Sequence, residues 1–269
     1  MQSVRTVADP LSLVIGGTSG IGRAIAVRLA AEGHRVLVAG RDGARGASVA
    51  QACKAAGAAE AEFLSVDVGD PSSIDQLGQA ISGRFGVPRV LVNSAGILQS
   101  GKAVLDQPLD EDERIWRVNY RGTLVACQVF GRMMATIGQG AILNVGSLAS
   151  FAPLSLPAYT PGKYAVRALT EMLACELGPK GIRVNAVAPG YTLSDGLKAK
   201  IAAGERNPDA IVDTTALKKF VQPDDVAEAA LFLCSDRAAS ITGVTLPVDA
   251  GWLVQASYAH YQRGNPIRT

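Results

Sequence analysis

Short runs of β-branched and aliphatic residues recur along the chain from Leu11 onward, separated by longer alanine-rich stretches whose apolar positions return every three or four residues. The first pattern is that of a strand and the second that of a helix packed on one face; their alternation marks successive βαβ units around a parallel sheet. Strands are expected at 12–15, 35–39, 62–66, 89–92, 141–145, 183–187 and 244–248, and helices at about 20–32, 44–56, 72–84, 111–137, 158–178 and 223–234. Because the strands are almost continuously apolar, helices should cover both faces. Asp70-Pro71-Ser72-Ser73 and Gln222-Pro223-Asp224-Asp225 read as helix starts, each with a capping side chain or acidic first turn beside a proline. Residues 191–222 break the alternation with a short helical segment and the loop-like Gly204-Glu205-Arg206-Asn207-Pro208-Asp209, a length that reads as a binding lid. The expected architecture is a doubly wound, Rossmann-type α/β fold with a parallel sheet of about seven strands, a single domain over 1–269, with that lid and a C-terminal tail at about 252–269.

Composition narrows the function. The 269 residues carry 26 Lys and Arg against 24 Asp and Glu, a formal charge of +2 with no dense basic stripe, so no nucleic-acid partner is expected. No apolar run approaches the roughly 18 residues of a membrane span. The N-terminal segment is not followed by the apolar core of a secretory signal, and a cytoplasmic protein is expected. Cys53, Cys127, Cys175 and Cys234 lie far apart, and the only histidines are His34 and His260. No metal site is expected from them, and the cysteines read as small buried residues in a reducing compartment.

Gly16-Gly17-Thr18-Ser19-Gly20-Ile21-Gly22 joins the first strand to the first long helix. Glycines at this spacing let backbone approach a pyrophosphate and set it at a helix N-terminus, where free N–H groups and the helix dipole favour anions. This spacing, with the later motifs in the same order, resembles the short-chain dehydrogenase/reductase family over roughly residues 11–253. Ile15 stands where that family usually has a threonine hydroxyl that ties the turn.

The resemblance implies a nicotinamide cofactor and names its contacts. An acid ending the second strand would hold the adenosine ribose and repel a 2′-phosphate; here Gly40 stands there, followed by Arg41, which favours NADP, with NAD possible. A plain loop arginine is the alternative. Asp67-Val68 resembles the adenine-contact pair, with a turn-starting aspartate as the competing reading, and Asn93-Ser94-Ala95-Gly96 resembles the family's Asn-Asn-Ala-Gly wall of the cofactor. Pro189-Gly190 is the turn on the nicotinamide face, with Thr192 at the carboxamide and Ser194 as the later hydroxyl of the pattern; helix capping is the alternative for both hydroxyls.

Tyr159-Thr160-Pro161-Gly162-Lys163 places a phenol and an ammonium on one helix face. Carbonyl reduction needs an acid for the nascent alkoxide, and a nearby cation would tune a phenol downward from about 10. Ser147, twelve positions before Tyr159, could hydrogen-bond the substrate oxygen, although Ser155 offers a second hydroxyl in the same loop. By resemblance Tyr159 is the acid and base, Lys163 also grips the nicotinamide ribose, and Asn119 in Val118-Asn119-Tyr120-Arg121-Gly122 orders a water in the proton relay. Pro161 and Gly162 oppose a helix interior, so the helix should begin close to Tyr159.

Ser147, Leu148, Leu154, Tyr159, Tyr191 and Leu197, with Leu98 and Gln99, are the candidate substrate-facing positions, and their mostly apolar mixture suits a small ketone or secondary alcohol. The expected activity is NADP-dependent ketone/alcohol interconversion. A 3-oxoacyl-thioester reductase, a polyol or sugar dehydrogenase and a cofactor-binding sensor or scaffold are the alternatives. The family commonly forms homotetramers, which is the expected assembly.

Overall fold

A computed structural model describes residues 9–99, 101–255, 258 and 259. Seven parallel strands form one sheet: β1 (Leu11–Ile15), β2 (Arg35–Gly40), β3 (Ala61–Ser65), β4 (Val90–Asn93), β5 (Gly140–Val145), β6 (Ile182–Pro189) and β7 (Thr245–Val248), ordered β3-β2-β1-β4-β5-β6-β7. The helices are α1 (Gly20–Ala31), α2 (Gly43–Ala56), α3 (Pro71–Arg84), α4 (Leu109–Trp116), α5 (Gly122–Ile137), α6 (Tyr159–Leu177), α7 (Asp195–Ala202), α8 (Pro208–Asp213) and α9 (Pro223–Cys234). The strand order reverses between β1 and β4, and the crevice beyond the carboxyl ends of strands at such a reversal is where ligands bind in sheets of this kind.

The two-residue period of the strands divides the core. Leu11, Leu13 and Ile15 of β1 join Leu37, Leu91, Phe130, Met134 and Leu169 in a cluster under α3, α5 and α6, while Val14 joins Val36, Val38, Val92 and Leu143 against α1, α2 and α9. Both expected helix starts form as read. Asp70 accepts from the Ser72 amide at 2.9 Å, and Asp225 accepts from the Gln222 amide at 2.8 Å.

Three expectations need correction. The helix expected over 111–137 is interrupted by a π-turn over Arg117–Arg121, after which Gly122 passes so close to the loop following β3 that a Cβ would lie 2.7 Å from the Val68 carbonyl oxygen. The loop-like Asn207-Pro208-Asp209 instead starts α8: Asn207 caps the Asp209 and Ala210 amides at 3.0 and 3.2 Å, and Pro208 occupies a first-turn position whose N–H would be unpaired anyway. Cys175 is exposed, whereas Cys53, Cys127 and Cys234 are buried as expected, with thiols pushed up to about 11, about 12 and about 12 by burial.

The segment 191–222 is closed at its base. A parallel bridge joins Thr192 to Val221, the Leu193 amide donates to the Val221 carbonyl at 2.8 Å, and the Val221 amide donates to the Tyr191 carbonyl at 3.1 Å. Beyond it, Asp249 accepts from the Gly251 and Leu253 amides, and Trp252 packs edge-on against Tyr191 with ring centroids 6.4 Å apart. Residues 260–269 of the expected tail lie outside the described residues. Among the described residues no helix is long and apolar enough to cross a membrane.

Candidate active site

The glycine turn is shaped by close approach. A Cβ on Gly16 would sit 2.3 Å from the Ala95 nitrogen, and one on Gly22 would sit 2.2 Å from the Gly16 carbonyl oxygen, so neither position admits a side chain without moving backbone. Gly16 and Gly20 also adopt φ of +81° and +51°. The turn is tied to β2 by backbone: the Gly16 and Gly17 amides donate to the Ala39 carbonyl at 2.8 and 3.3 Å. Ser19 is the N-cap of α1, yet its side chain caps nothing and no acidic residue stands in the first turn. The start of α1 therefore keeps amides and a positive dipole end for an outside anion, and the crowded glycines leave backbone alone facing it. A Cβ on Gly20 would meet only the Ser194 side chain, at 3.8 Å, which sets the base of the 191–222 segment beside this turn. These residues fit the pyrophosphate of a dinucleotide.

At the end of β2 and β3 a cavity of about 370 Å³ is lined by Arg41, Asp67, Gly69, Asp70, Arg114 and Arg117 among others. The two carboxylates are engaged locally: Asp67 accepts from the Gly69 amide at 2.9 Å, and both oxygens of Asp70 accept from the Ser72 hydroxyl at 2.9 Å. Asp67 thus both starts a turn and faces the cavity. Arg41 lines the cavity as expected, and Arg114 and Arg117 bring two further guanidinium groups that sequence reasoning missed, because only the packing of α4 and the π-turn carries them there. Gly40 puts no acid at the end of β2, and a Cβ there would lie 2.9 Å from Thr18 Cγ2, so Thr18 fills the space an acidic side chain would need.

Asn93 lines a narrow recess with Ile15 and Ala95. Its side chain turns into the protein, donating to Asn144 Oδ1 at 3.0 Å, while Asn144 donates to Thr170 Oγ1 at 3.0 Å. This buried polar chain ties β4 and β5 to α6, and it leaves Ala95 and Gly96 as the members of that motif set against the glycine turn and Asn119. Val68 and Val118 line the same recess. Ile21 packs partly into the core.

Tyr159 opens α6, as expected, and Lys163 Nζ lies 5.5 Å from its ring centroid. Pro161 falls in the first turn and Gly162 packs where a Cβ would lie 4.0 Å from the Trp116 ring. Ser147 stands beside the phenol, whose ionised form its hydroxyl favours, and accepts from the Ala149 amide at 3.1 Å. Ser155 is exposed and meets Lys102 only through its backbone carbonyl, which leaves Ser147 as the hydroxyl partner of Tyr159. Ser150, not singled out by the sequence, donates to the Lys163 carbonyl at 2.9 Å and so fastens the Ser147 turn to the helix. Lys163 Nζ donates to the Val145 carbonyl at 2.7 Å.

The electrostatics differ from the expected downward tuning of the phenol. Burial raises Tyr159 above its ordinary 10, the Ser147 hydrogen bond opposing it, and burial pushes Lys163 down to about 8. At neutral pH the site therefore holds a protonated phenol beside an ammonium that loses its proton at about 8 rather than at 10.5. Asn119 is buried with both side-chain groups on Ile97: Oδ1 accepts from the Ile97 amide at 2.8 Å and Nδ2 donates to its carbonyl at 2.9 Å. In this structure its side chain pins the loop after β4 to the π-turn, and its carbonyl accepts from the Thr123 hydroxyl at 2.9 Å.

Around the phenol, Ile115, Ala149, Leu154 and Ala158 form a small apolar cluster with Tyr159. Leu148 is buried beside Ser147, and Tyr191 and Leu197 are half-buried in the neighbouring segment. Leu98 is 70% exposed. Pro189 ends β6, the Gly190 amide donates to the Val248 carbonyl at 2.9 Å, and Thr192 Oγ1 donates back to the Gly190 carbonyl at 3.1 Å. Ser194 is the N-cap of α7 but its hydroxyl makes no cap, so the helix-capping alternative does not account for it. Among the described residues no group of three metal-ligating side chains gathers.

Comparison with known proteins agrees with this geometry. Residues 16–253 match a family model described as enoyl-(acyl carrier protein) reductase. D-threitol dehydrogenase of Mycolicibacterium smegmatis is 35% identical, over 91% of this chain and 93% of its own. Galactitol 2-dehydrogenase (L-tagatose-forming) of Cereibacter sphaeroides is 36% identical over 90% and 94%. A crystal structure described as ribose-5-phosphate isomerase from Brucella melitensis 16M superimposes with a TM-score of 0.90 at 40% identity, covering 97% of this chain and 98% of that one. The chain belongs to the short-chain dehydrogenase/reductase family and is an oxidoreductase acting between CH–OH and C=O with a nicotinamide cofactor.

Proposed function

We propose that the protein is an NADP-dependent oxidoreductase that interconverts a small ketone and its secondary alcohol, with Tyr159 as the acid in reduction and the base in oxidation. The observation that carries this reading is the meeting of the Tyr159 phenol, the Ser147 hydroxyl and the Lys163 ammonium at the start of α6. A bound nicotinamide supplies or takes the hydride at the substrate carbon. Ser147 donates to the substrate oxygen and holds it against the phenol; Tyr159, kept protonated at neutral pH by burial, hands its proton to the oxygen as charge grows there. Lys163, still largely protonated at pH 7, then favours the phenolate left behind. Leu148, Leu154 and Tyr191 exclude water from that exchange.

Arg41 at a cavity without an acid at position 40 supports NADP over NAD, since a guanidinium pairs with a phosphate in two parallel hydrogen bonds. Exposed Met172 and the edge-strand residue Leu246 fit an assembled chain, and a homotetramer is the proposed state. The polyol dehydrogenases among its relatives favour a polyol or keto-sugar as a second, narrower reading of the substrate. An isomerase activity, suggested by the name of the Brucella melitensis structure, gives the open glycine turn and the arginine-lined cavity no work.

The test is absorbance at the reduced-nicotinamide band, with NADPH and NADH offered separately against ketones, 3-oxoacyl thioesters and keto-sugars. NADPH consumption with one class, lowered roughly 10²–10⁴-fold in Tyr159→Phe with cofactor binding retained, is the expected result. Cofactor binding without consumption, or an active Tyr159→Phe, overturns the mechanism and favours a sensor.

A further inference from the structure

The first turn of α6 poses a problem its own sequence does not solve. Its N-cap is Ala158, which has no acceptor, and an alanine there is among the poorest capping choices. Four backbone N–H positions normally lack a helical partner at such an end. Pro161 has no N–H, and the Thr160 amide donates to the Leu156 carbonyl at 2.8 Å. The remaining two, Ala158 and Tyr159, donate at 2.9 and 3.1 Å to one atom, Oε1 of Gln99, a residue about 60 positions earlier in the loop after β4.

Gln99 is only 6% exposed and its amide orientation follows from its partners. Backbone N–H groups can only donate, so Oε1 faces them and Nε2 faces Gln107 Oε1, to which it is hydrogen-bonded. Gln107 Nε2 in turn donates to the Pro108 carbonyl at 2.9 Å and lies 3.4 Å from Glu111 Oε2, which is paired with Lys102 at 2.6 Å. Every donor in this chain finds an acceptor, and reversing either amide would set like against like.

We propose that Gln99 is a positioning residue for Tyr159: it caps α6 from another element and, anchored through Gln107, fixes where the phenol stands relative to Ser147. The inference rests on the reading of Tyr159 as the proton-transfer group. Ser147 and Lys163 are the polar groups that face the phenol, and Ile115, Ala149 and Leu154 complete its surroundings.

The test titrates the near-ultraviolet tyrosinate absorbance of the full-length protein, with Tyr159→Phe subtracted to isolate this phenol, alongside steady-state turnover. Gln99→Leu strands two buried N–H groups and loosens the ring, so the phenol titration should fall back towards 10 and kcat should drop roughly tenfold or more while KM for the cofactor holds. Gln99→Glu keeps the acceptor and adds a negative charge, with the Gln107 amide turned so that its N–H meets the new oxygen, so turnover should recover most of that loss and the phenol should titrate higher, by roughly one pH unit. Should Gln99→Leu not fold, Gln107→Leu leaves the cap in place but removes its anchor, and a smaller downward shift with a smaller loss of kcat is expected. Phenol titration and kcat unmoved in all these variants, or loss of melting temperature alone, overturns the proposal. An active Tyr159→Phe instead sinks the reading beneath it, whatever the Gln99 variants do.

Discussion

Two helices that begin at the carboxyl edge of the sheet treat their first turns in opposite ways. At α1, Ser19 could cap and does not, no acid follows, and crowding at Gly16 and Gly22 keeps side chains off those two positions. At α6 the helix cannot cap itself, and a glutamine from another element closes it completely. An end left open costs a few unpaired N–H groups in the free protein but remains able to take an anion. An end closed from outside gives up ligand binding and gains a fixed origin for the side chain at its first position. The first suits holding a cofactor and the second suits aiming an acid, which is how the two helices divide the work proposed here.

The contrast breaks most completely at Gly22. In Gly22→Ala the new Cβ would lie 2.2 Å from the Gly16 carbonyl oxygen and 2.9 Å from its carbon, so the turn must shift. NADPH affinity, measured by calorimetry, should fall about a hundredfold or more. Affinity within threefold of the parent would show that the turn does not cradle the phosphates.

A second test concerns the closed end. Lys163 is held at about 8 in the folded protein against 10.5 unfolded, so between those values the unfolded chain binds more protons and stability rises with pH. Relative to Lys163→Met, whose side chain does not titrate, urea stability of the parent should rise by up to about 3 kcal/mol across that window. Parallel pH curves for the two proteins would mean that the ammonium is not buried.

The finest test gives α1 the cap it lacks. Ser19→Asp should accept from the first-turn amides and raise the stability of the free protein by about 1 kcal/mol. The same carboxylate would occupy the anion position and repel phosphate, so NADPH binding should weaken by roughly tenfold. Raised stability with unchanged affinity would separate the start of α1 from the cofactor site.

The legible features are those carried by neighbours in sequence. Short β-branched apolar runs mark the strands to within one or two residues, proline beside an acid marks the starts of α3 and α9, and the four-residue step from Tyr159 to Lys163 puts both groups on one face. Asn207 was misread as loop although its cap is local, because glycine and polar residues before it outweighed the Asn-Pro-Asp start. For Asn93 the motif names the residue but not the side to which a buried amide turns, which Asn144 and Thr170 decide.

The sequence by itself therefore determined the order of strands and helices, the glycine turn and the residue types at the reacting centre, since periodicity, turn chemistry and spacing act over a few residues. Tertiary structure alone decided that Ser147 rather than Ser155 faces the phenol, that Arg114 and Arg117 join Arg41, that burial outweighs the Ser147 hydroxyl in setting Tyr159, and that Gln99 closes α6. Desolvation and hydrogen bonds between residues tens of positions apart depend on how the layers pack, and no local pattern carries that information.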